Sequence, residues 1–348
     1  MSEYVITQHV DQIKLNQNES PEDIPSFLKK QILERMASVG WNRYPPDDAR
    51  VLIEDISEYS GVPPAAIMVG NGSNELIQTL ILSTCDSGQS IMTVQPSFSV
   101  YKRVAEVMNI HVIEVPLDDN YGFDTEALIE TGQNVRIMFL AVPNNPTGTI
   151  LDVDQIRRIV ESVPCVVAVD EAYHEFYRKT ALPLISDHDN IVILRTFSKA
   201  LRLAGLRLGY LLAPVPLIKE FKKVKLPFSV GLVQQIAGEI MLKNKDIWLE
   251  SAEQIIQEKN RVFTELKKME RIDAVPSKAN FILFGIQGLK AKYVFKELIS
   301  NGVFVRCFDS ERLANMLRVT IGTPEENDAF LHNLRDVIGR SRDESGTL

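Results

Sequence analysis

Cysteine is scarce in this chain. Among 348 residues there are three, Cys85, Cys165 and Cys307, far apart in sequence. An odd, scattered set provides no disulfide framework and no zinc spacing, and it fits a reducing cytoplasm. Histidine is also thin, five in all, with no HExxH arrangement. Asp170 and His174, four residues apart, are a metal pair in principle, but a lone pair at this spacing is more often structural, and no metal is expected. An excess of positive charge is missing too. With 38 Lys and Arg against 46 Asp and Glu, the formal charge is −8, which argues against a generic nucleic-acid or anionic-membrane binder but not against a local basic pocket. Apolar runs are broken well short of a membrane span. The opening MSEYVITQHVDQIKLNQ lacks a basic stretch followed by an apolar one, so no secretory signal is expected. There is no internal repeat, and the polar ending RSRDESGTL is expected to fray.

Two phosphate fingerprints are absent as well. GNGSNE, residues 70–75, lacks the lysine-serine ending of a Walker loop and the third glycine of GxGxxG. The second absence disfavours a NAD-dependent dehydrogenase.

What is present is an α/β pattern. From about residue 45, short apolar runs alternate with helical periodicity, which predicts a largely parallel sheet. Strands are predicted over 66–69, 90–94, 111–115, 135–142, 165–169, 191–194 and 208–212. The segments after them are polar and chemically specific: GNGSNE, QPSFSVY, PNNPTG, DEAY and RTFSK. In open α/β sheets ligands bind beyond the carboxyl ends of the strands, so these loops point to one shared site. A long helical stretch after Pro216 leads to a second lobe, with strands near 281–284, 303–306 and 317–321. The organisation expected is a segment 1–44, a large domain 45–240 and a small domain 241–348. The amphipathic stretch 26–38 is expected to pack on the second lobe.

Lys199 follows the apolar run 191–194, between hydroxyls (Thr196, Ser198) and arginines (Arg202, Arg207). Lysine is rarely buried without a partner, and a solvated loop is its bland reading. Hydroxyls and arginines together suit a phosphate monoester. Ser73 and Asn74 open a helix whose amino terminus suits the same group, although Ser73 is also an ordinary cap. Asp170 ends a wholly apolar strand and needs a cationic or N–H partner, with helix capping as the alternative. Tyr173 stands three residues on, and Asn145 sits in a proline-flanked turn. A lysine amine, a strand-end carboxylate, a tyrosine, an asparagine and a phosphate cup are together what pyridoxal 5'-phosphate requires.

In order along the chain, NNPTG, DEAY and SKALRLAGLRLGY resemble the fold-type I aminotransferases of class I/II. LNQNESP, RYPP, GNGSNE, SKANF, GVFVR and LRVTIGTPEEN are similar, more narrowly, to the histidinol-phosphate aminotransferase family. The resemblance covers nearly the whole chain. It implies a fold-type I PLP-dependent transferase: a large cofactor-binding domain with a mostly parallel seven-stranded sheet, plus a smaller α/β domain. It also implies roles. Lys199 would form the Schiff base and move the substrate proton. Asp170 would pair with the ring nitrogen, Tyr173 and Asn145 would hold the ring oxygen, and Phe98 would stack on the ring. Ser73, Asn74, Thr196, Ser198 and Arg207 would take the phosphate, with Tyr44 reaching it from the neighbouring subunit of a homodimer. Arg306 and Arg318, with Tyr44, would bind the anionic substrates, histidinol phosphate and 2-oxoglutarate or glutamate, because a planar guanidinium fork serves phosphate and carboxylate alike.

Three positions depart from the family pattern: Phe98 for a more common tyrosine, Val142 for an asparagine, and Asn74 for an aspartate. They leave open an aminotransferase for phenylalanine or tyrosine and, more distantly, a threonine-phosphate decarboxylase. A cofactor-binding regulatory module is disfavoured because the first forty residues carry no basic helix-turn-helix pattern.

Overall fold

The computed structural model describes residues 12–46 and 48–345. The chain enters through a two-residue strand, β1 (Ile13–Lys14). It then builds a seven-stranded sheet from β2 (Ile67–Gly70), β3 (Ser90–Gln95), β4 (His111–Pro116), β5 (Ile137–Ala141), β6 (Val166–Asp170), β7 (Ile191–Thr196) and β8 (Gly209–Leu212). The spatial order is β2-β8-β7-β6-β5-β3-β4. All neighbours are parallel except β8, which runs antiparallel to both β2 and β7.

The central strands are mostly apolar because both faces are covered. In β5, Ile137, Phe139 and Ala141 enter one core while Met138 and Leu140 enter the other, as the alternation of a strand requires. The helix Ser73–Thr84 lies over the first of these cores and buries Leu76, Ile77, Leu80 and Ile81 there. This packing aims its amino terminus at the carboxyl edge of the sheet. The same edge carries Pro96–Phe98 after β3, Asn144–Asn145 beyond β5, Asp170 at the end of β6, and Thr196–Lys199 after β7.

The second sheet contains β9 (Ile272–Ala274) and β10 (Phe281–Ile286). The stretch predicted as one strand over 303–306 is two. β11 (Val303–Phe304) pairs with β1, and β12 (Arg306–Cys307) pairs with β13 (Met316–Thr320). The antiparallel order is β12-β13-β10-β9. Neither β1 nor β9 was predicted, because runs of two or three residues show no period. Arg312 joins the two sheets by donating to the carbonyl of Gln95 at 3.1 Å and to those of Leu117 and Asp118. Lys278 N–H donates to Gly148 O at 2.9 Å.

The helix Ser26–Ala37 packs mainly on the helix Leu232–Lys243, not on the second lobe, and Arg35 pairs with the buried Glu239 at 2.5 Å. Only Leu28 and Ile32 of that first helix are buried, too narrow a stripe to identify its partner from sequence. The helix Pro324–Ser345 continues into the stretch expected to fray, whose last three residues lie outside the described set. Among the described residues no helix is long and apolar enough to cross a membrane.

Candidate active site

Lys199 sits at the carboxyl edge of the sheet, three residues beyond β7. The residue as a whole is only partly covered, but its amine lies deep. Nζ donates to Gln17 O at 3.0 Å and stands 5.8 Å from the centre of the Tyr173 ring. Desolvation, then the nearby Arg318 and Arg207 charges, hold its pKa down to about 7, against opposing pulls from Glu19 and Asp170. Desolvation penalises the charged form of an amine, so this lysine is substantially neutral at neutral pH. A solvated loop lysine would not be.

Asp170, at the end of β6, is 5% exposed. Its partners are an O–H and an N–H: Tyr101 Oη donates to Oδ2 at 2.6 Å, and Ala172 N–H donates to Oδ1 at 3.1 Å. It does not cap the following short helix, which begins at His174. Burial raises its pKa, and the Tyr101 hydrogen bond opposes the rise. Tyr173 is also buried, and its Oη accepts from Asn18 Nδ2 at 2.9 Å. Asn145 Oδ1 accepts from Arg318 Nη1. Phe98 packs edge-on against Tyr101 with ring centres 5.5 Å apart.

The anion cup forms where the helix Ser73–Thr84 begins. Gly72, at φ 77°, is its N-cap, so Ser73 is the first helical residue and not the cap. A Cβ on Gly72 would lie 2.7 Å from Arg207 Nη2, and one on Gly209 would lie 2.6 Å from Ser73 N. Two glycines therefore let a guanidinium and a helix amino terminus close on one spot. Arg207 Nη1 donates to Ser198 Oγ at 3.2 Å, and Ser198 N–H donates to Thr196 Oγ1 at 3.1 Å. Asn74 follows Ser73 in the first helical turn. Arg202, grouped with this cluster on sequence, is committed elsewhere. It donates to Asp23 O at 2.9 Å and to Glu22 Oε2 at 2.8 Å.

The Cα atoms of Arg306 and Arg318 are partners across β12 and β13, so the two side chains leave the same face of the sheet. Arg318 is 7% exposed, and its Nη2 donates to Asn16 O at 2.9 Å. Like charges directly opposite one another are unfavourable unless an anion lies between them. Tyr44 stands apart from these groups. It is 80% exposed and stacked on Phe228 at 4.7 Å.

Several groups were missed on sequence. Tyr101 is one; its place three residues after Phe98 was the available signal. Asn18 is another, for although LNQNESP was recognised, no role was attached to it. The third is a buried pair beside Asp170, in which Arg195 Nη2 meets Glu171 Oε2 at 2.9 Å and Thr180 and Ala181 N–H also donate to Glu171. His174 is turned to Glu175 at 3.2 Å, and among the described residues no cluster suited to a metal is present.

An amine, a carboxylate and an anion cup thus lie along one edge of the sheet, and Arg318 reaches the same edge through Asn145. Residues 10–334 match the family described as aminotransferase class I and II. Among relatives, the histidinol-phosphate aminotransferase of Prosthecochloris aestuarii is 38% identical over 332 residues, covering 94% of this chain and 92% of that protein. Histidinol-phosphate aminotransferase 1 of Carboxydothermus hydrogenoformans is 41% identical over 330 residues, covering 94% and 93%. Among solved structures, the histidinol-phosphate aminotransferase of Clostridium acetobutylicum aligns with a TM-score of 0.87 at 24% identity, covering 94% of this chain and 99% of that one. The Sinorhizobium meliloti enzyme, in complex with pyridoxal-5'-phosphate, gives 0.86 at 24%, covering 94% and 90%. These two structures bear on the fold.

Proposed function

The chain belongs to the class I and II aminotransferases, and from that membership we propose that it exchanges the amino group of histidinol phosphate with the keto group of 2-oxoglutarate. The products are 3-(imidazol-4-yl)-2-oxopropyl phosphate and glutamate, or the reverse in histidine biosynthesis. The observation that carries the reading is Lys199: an amine with a pKa near 7, held among Asp170, Tyr173 and the anion cup. The relatives named above supply the substrate.

The residues present fit pyridoxal phosphate. The Gly72–Arg207 cradle suits its phosphate, and buried Asp170 suits a protonated ring nitrogen. When bound, the cofactor supplies an aldehyde that links to amines and a ring that draws electrons from the carbon bearing the amino group. Lys199 Nζ, with a pKa held down to about 7, would be the base that carries the proton of that carbon when the cofactor is bound. Asp170 would keep the ring nitrogen protonated. Tyr173 and Asn145 would hold the ring oxygen, and Phe98 would cover the ring face. Ser73, Asn74, Thr196, Ser198 and Arg207 would hold the phosphate. Arg306 and Arg318 grip the phosphate of one substrate and the carboxylates of the other, which lets a single pocket serve both halves of a ping-pong exchange.

In this reading residues 45–240 carry the cofactor and 241–348 form the small domain. Tyr44 is exposed and stacks on the exposed Phe228. A second copy of the chain covering that face would receive Tyr44 at its own phosphate cup, and the enzyme works as a homodimer. The three free cysteines support a cytoplasmic setting.

The test is a single-turnover titration of cofactor-loaded protein with histidinol phosphate, phenylalanine and tyrosine, following the cofactor absorbance. Rapid conversion by histidinol phosphate alone is expected. Preference for phenylalanine or tyrosine would move the substrate to an aromatic amino acid, and absence of any cofactor band would remove the role of Lys199.

A further inference from the structure

Residues 16–18 lie across the site, and each touches a different functional side chain. Asn16 O accepts from Arg318, Gln17 O accepts from Lys199, and Asn18 Nδ2 donates to Tyr173 Oη. The third contact differs from the other two because a side chain of this stretch makes it.

Asn18 is 1% exposed and is held at φ 55°. Its backbone N–H donates to Thr320 Oγ1 at 2.9 Å, and Thr320 Oγ1 in turn donates to Asn18 Oδ1 at 3.2 Å. Asn18 O accepts from Asn280 Nδ2 at 3.2 Å. A hydroxyl has one hydrogen. Thr320 Oγ1 accepts from the backbone N–H and gives its hydrogen to Oδ1, which leaves the amide nitrogen for Tyr173. Oδ1 faces Thr320 and Nδ2 faces Tyr173. Tyr173 Oη is therefore the acceptor at 2.9 Å, and its own hydrogen points away from Asn18.

We infer that Asn18 is a positioning residue that directs the hydroxyl hydrogen of Tyr173 into the cofactor pocket, so that the tyrosine meets the cofactor ring oxygen as a donor. The inference rests on the cofactor reading above. An amide that only donates at this spot prevents Tyr173 from turning its hydrogen backwards. Accepting that bond also strengthens the tyrosine as a donor, because hydrogen bonds in a chain polarise one another. A donor at the ring oxygen favours the deprotonated form of the lysine-linked cofactor, so losing it raises the pH at which the cofactor band changes. The charged groups facing that linkage are Arg318, Glu19, Arg207 and Asp170, and none of them is altered by the substitutions below.

Asn18→Asp replaces the donor with an acceptor and draws the Tyr173 hydrogen backwards. Asn18→Gly keeps the positive φ and both backbone hydrogen bonds and removes only the amide, so it tests the inference even if the aspartate variant does not fold. Each variant, loaded with pyridoxal phosphate, is titrated with alkali while its absorbance is followed. The expected order of midpoints is wild type lowest, Asn18→Gly higher, and Asn18→Asp highest by on the order of one pH unit. In a Tyr173→Phe background the order should vanish. Unshifted midpoints in folded variants, or equal shifts with and without the Tyr173 hydroxyl, would overturn the positioning role and leave the cofactor reading standing. A wild type without a pyridoxal band would overturn both.

Discussion

Tyr101 donates its hydroxyl hydrogen to Asp170 Oδ2 at 2.6 Å, and both groups are sealed from solvent. The tyrosine comes from the helix Val100–Val107, stacked on Phe139 at 4.8 Å, while the carboxylate ends β6. One residue thus supports the ring-stacking side and the ring-nitrogen side of the proposed site. Replacing Tyr101 by phenylalanine leaves a buried carboxylate short of a donor, which costs about 1–3 kcal/mol. The expected result is a lower melting temperature and faster loss of cofactor on dialysis. Unchanged cofactor retention would mean that Ala172 N–H alone suffices.

The Lys199 amine links stability to pH. Its pKa is about 7 in the folded chain, against the ordinary 10.5. Between these values the unfolded chain binds the extra proton, so stability rises with pH across that window. Cofactor-free Lys199→Met lacks this dependence. Its stability advantage over cofactor-free wild type should be largest below pH 7, on the order of a few kcal/mol, and shrink towards pH 10.5. Denaturant melts at pH 6.5, 8.5 and 10 measure it, and a constant difference would place the amine in solvent.

Arg318 and Arg306 stand opposite one another on antiparallel strands. If an anionic substrate lies between them, Arg318→Ala should lower kcat/KM roughly 100-fold or more, about 3 kcal/mol of transition-state binding. Arg318→Lys should recover little, because the ammonium cannot reproduce a planar fork. Steady-state kinetics with histidinol phosphate decide this. A loss below threefold would assign both arginines to structural contacts.

Glu171 follows Asp170 directly and is held by structural hydrogen bonds. Arg195, Thr180 and the Ala181 N–H all converge on its carboxylate. Glu171→Ala removes the carboxylate partner of a guanidinium that is 3% exposed, a change that typically costs 3–5 kcal/mol. Calorimetry should show a melting point lowered by several degrees. A change in turnover without any loss of stability would instead draw Glu171 into the chemistry.

Tyr44 offers a test of the assembly. Tyr44→Ala and Lys199→Met are each expected to be inactive, but refolding them together should restore about a quarter of the wild-type sites, since a two-fold hybrid pairs one intact lysine with one intact tyrosine. No recovery from mixtures shown to exchange subunits would leave Tyr44 serving its own chain.

Much of this arrangement is legible along the chain because its chemistry follows strand ends. A run such as 191–194 predicts a strand, and the polar residues after it then fall at the sheet edge. Lys199, Asp170 and Ser198 were found in this way. Contacts between distant segments were not. Tyr101 looks like an ordinary core aromatic until β6 arrives beside it, and Asn18 acquires a role only when Thr320 and Tyr173 close around it. Arg202 and Arg207 are alike in sequence, and backbone direction alone sends one to Glu22 and the other to Ser198. The split of 303–306 between two sheets turns on the single residue Val305, below the resolution of any periodicity.

Asn18 and Thr320 are 302 positions apart. On a ribosome, the stretch that crosses the site is made 302 residues before the threonine that holds it. Until the strand of that threonine is made, the carboxyl edge of the large sheet has neither the anchor of its strap nor a complete second lobe. The nascent chain therefore presents Lys199 at an open bench, and the pocket closes only when β13 has emerged.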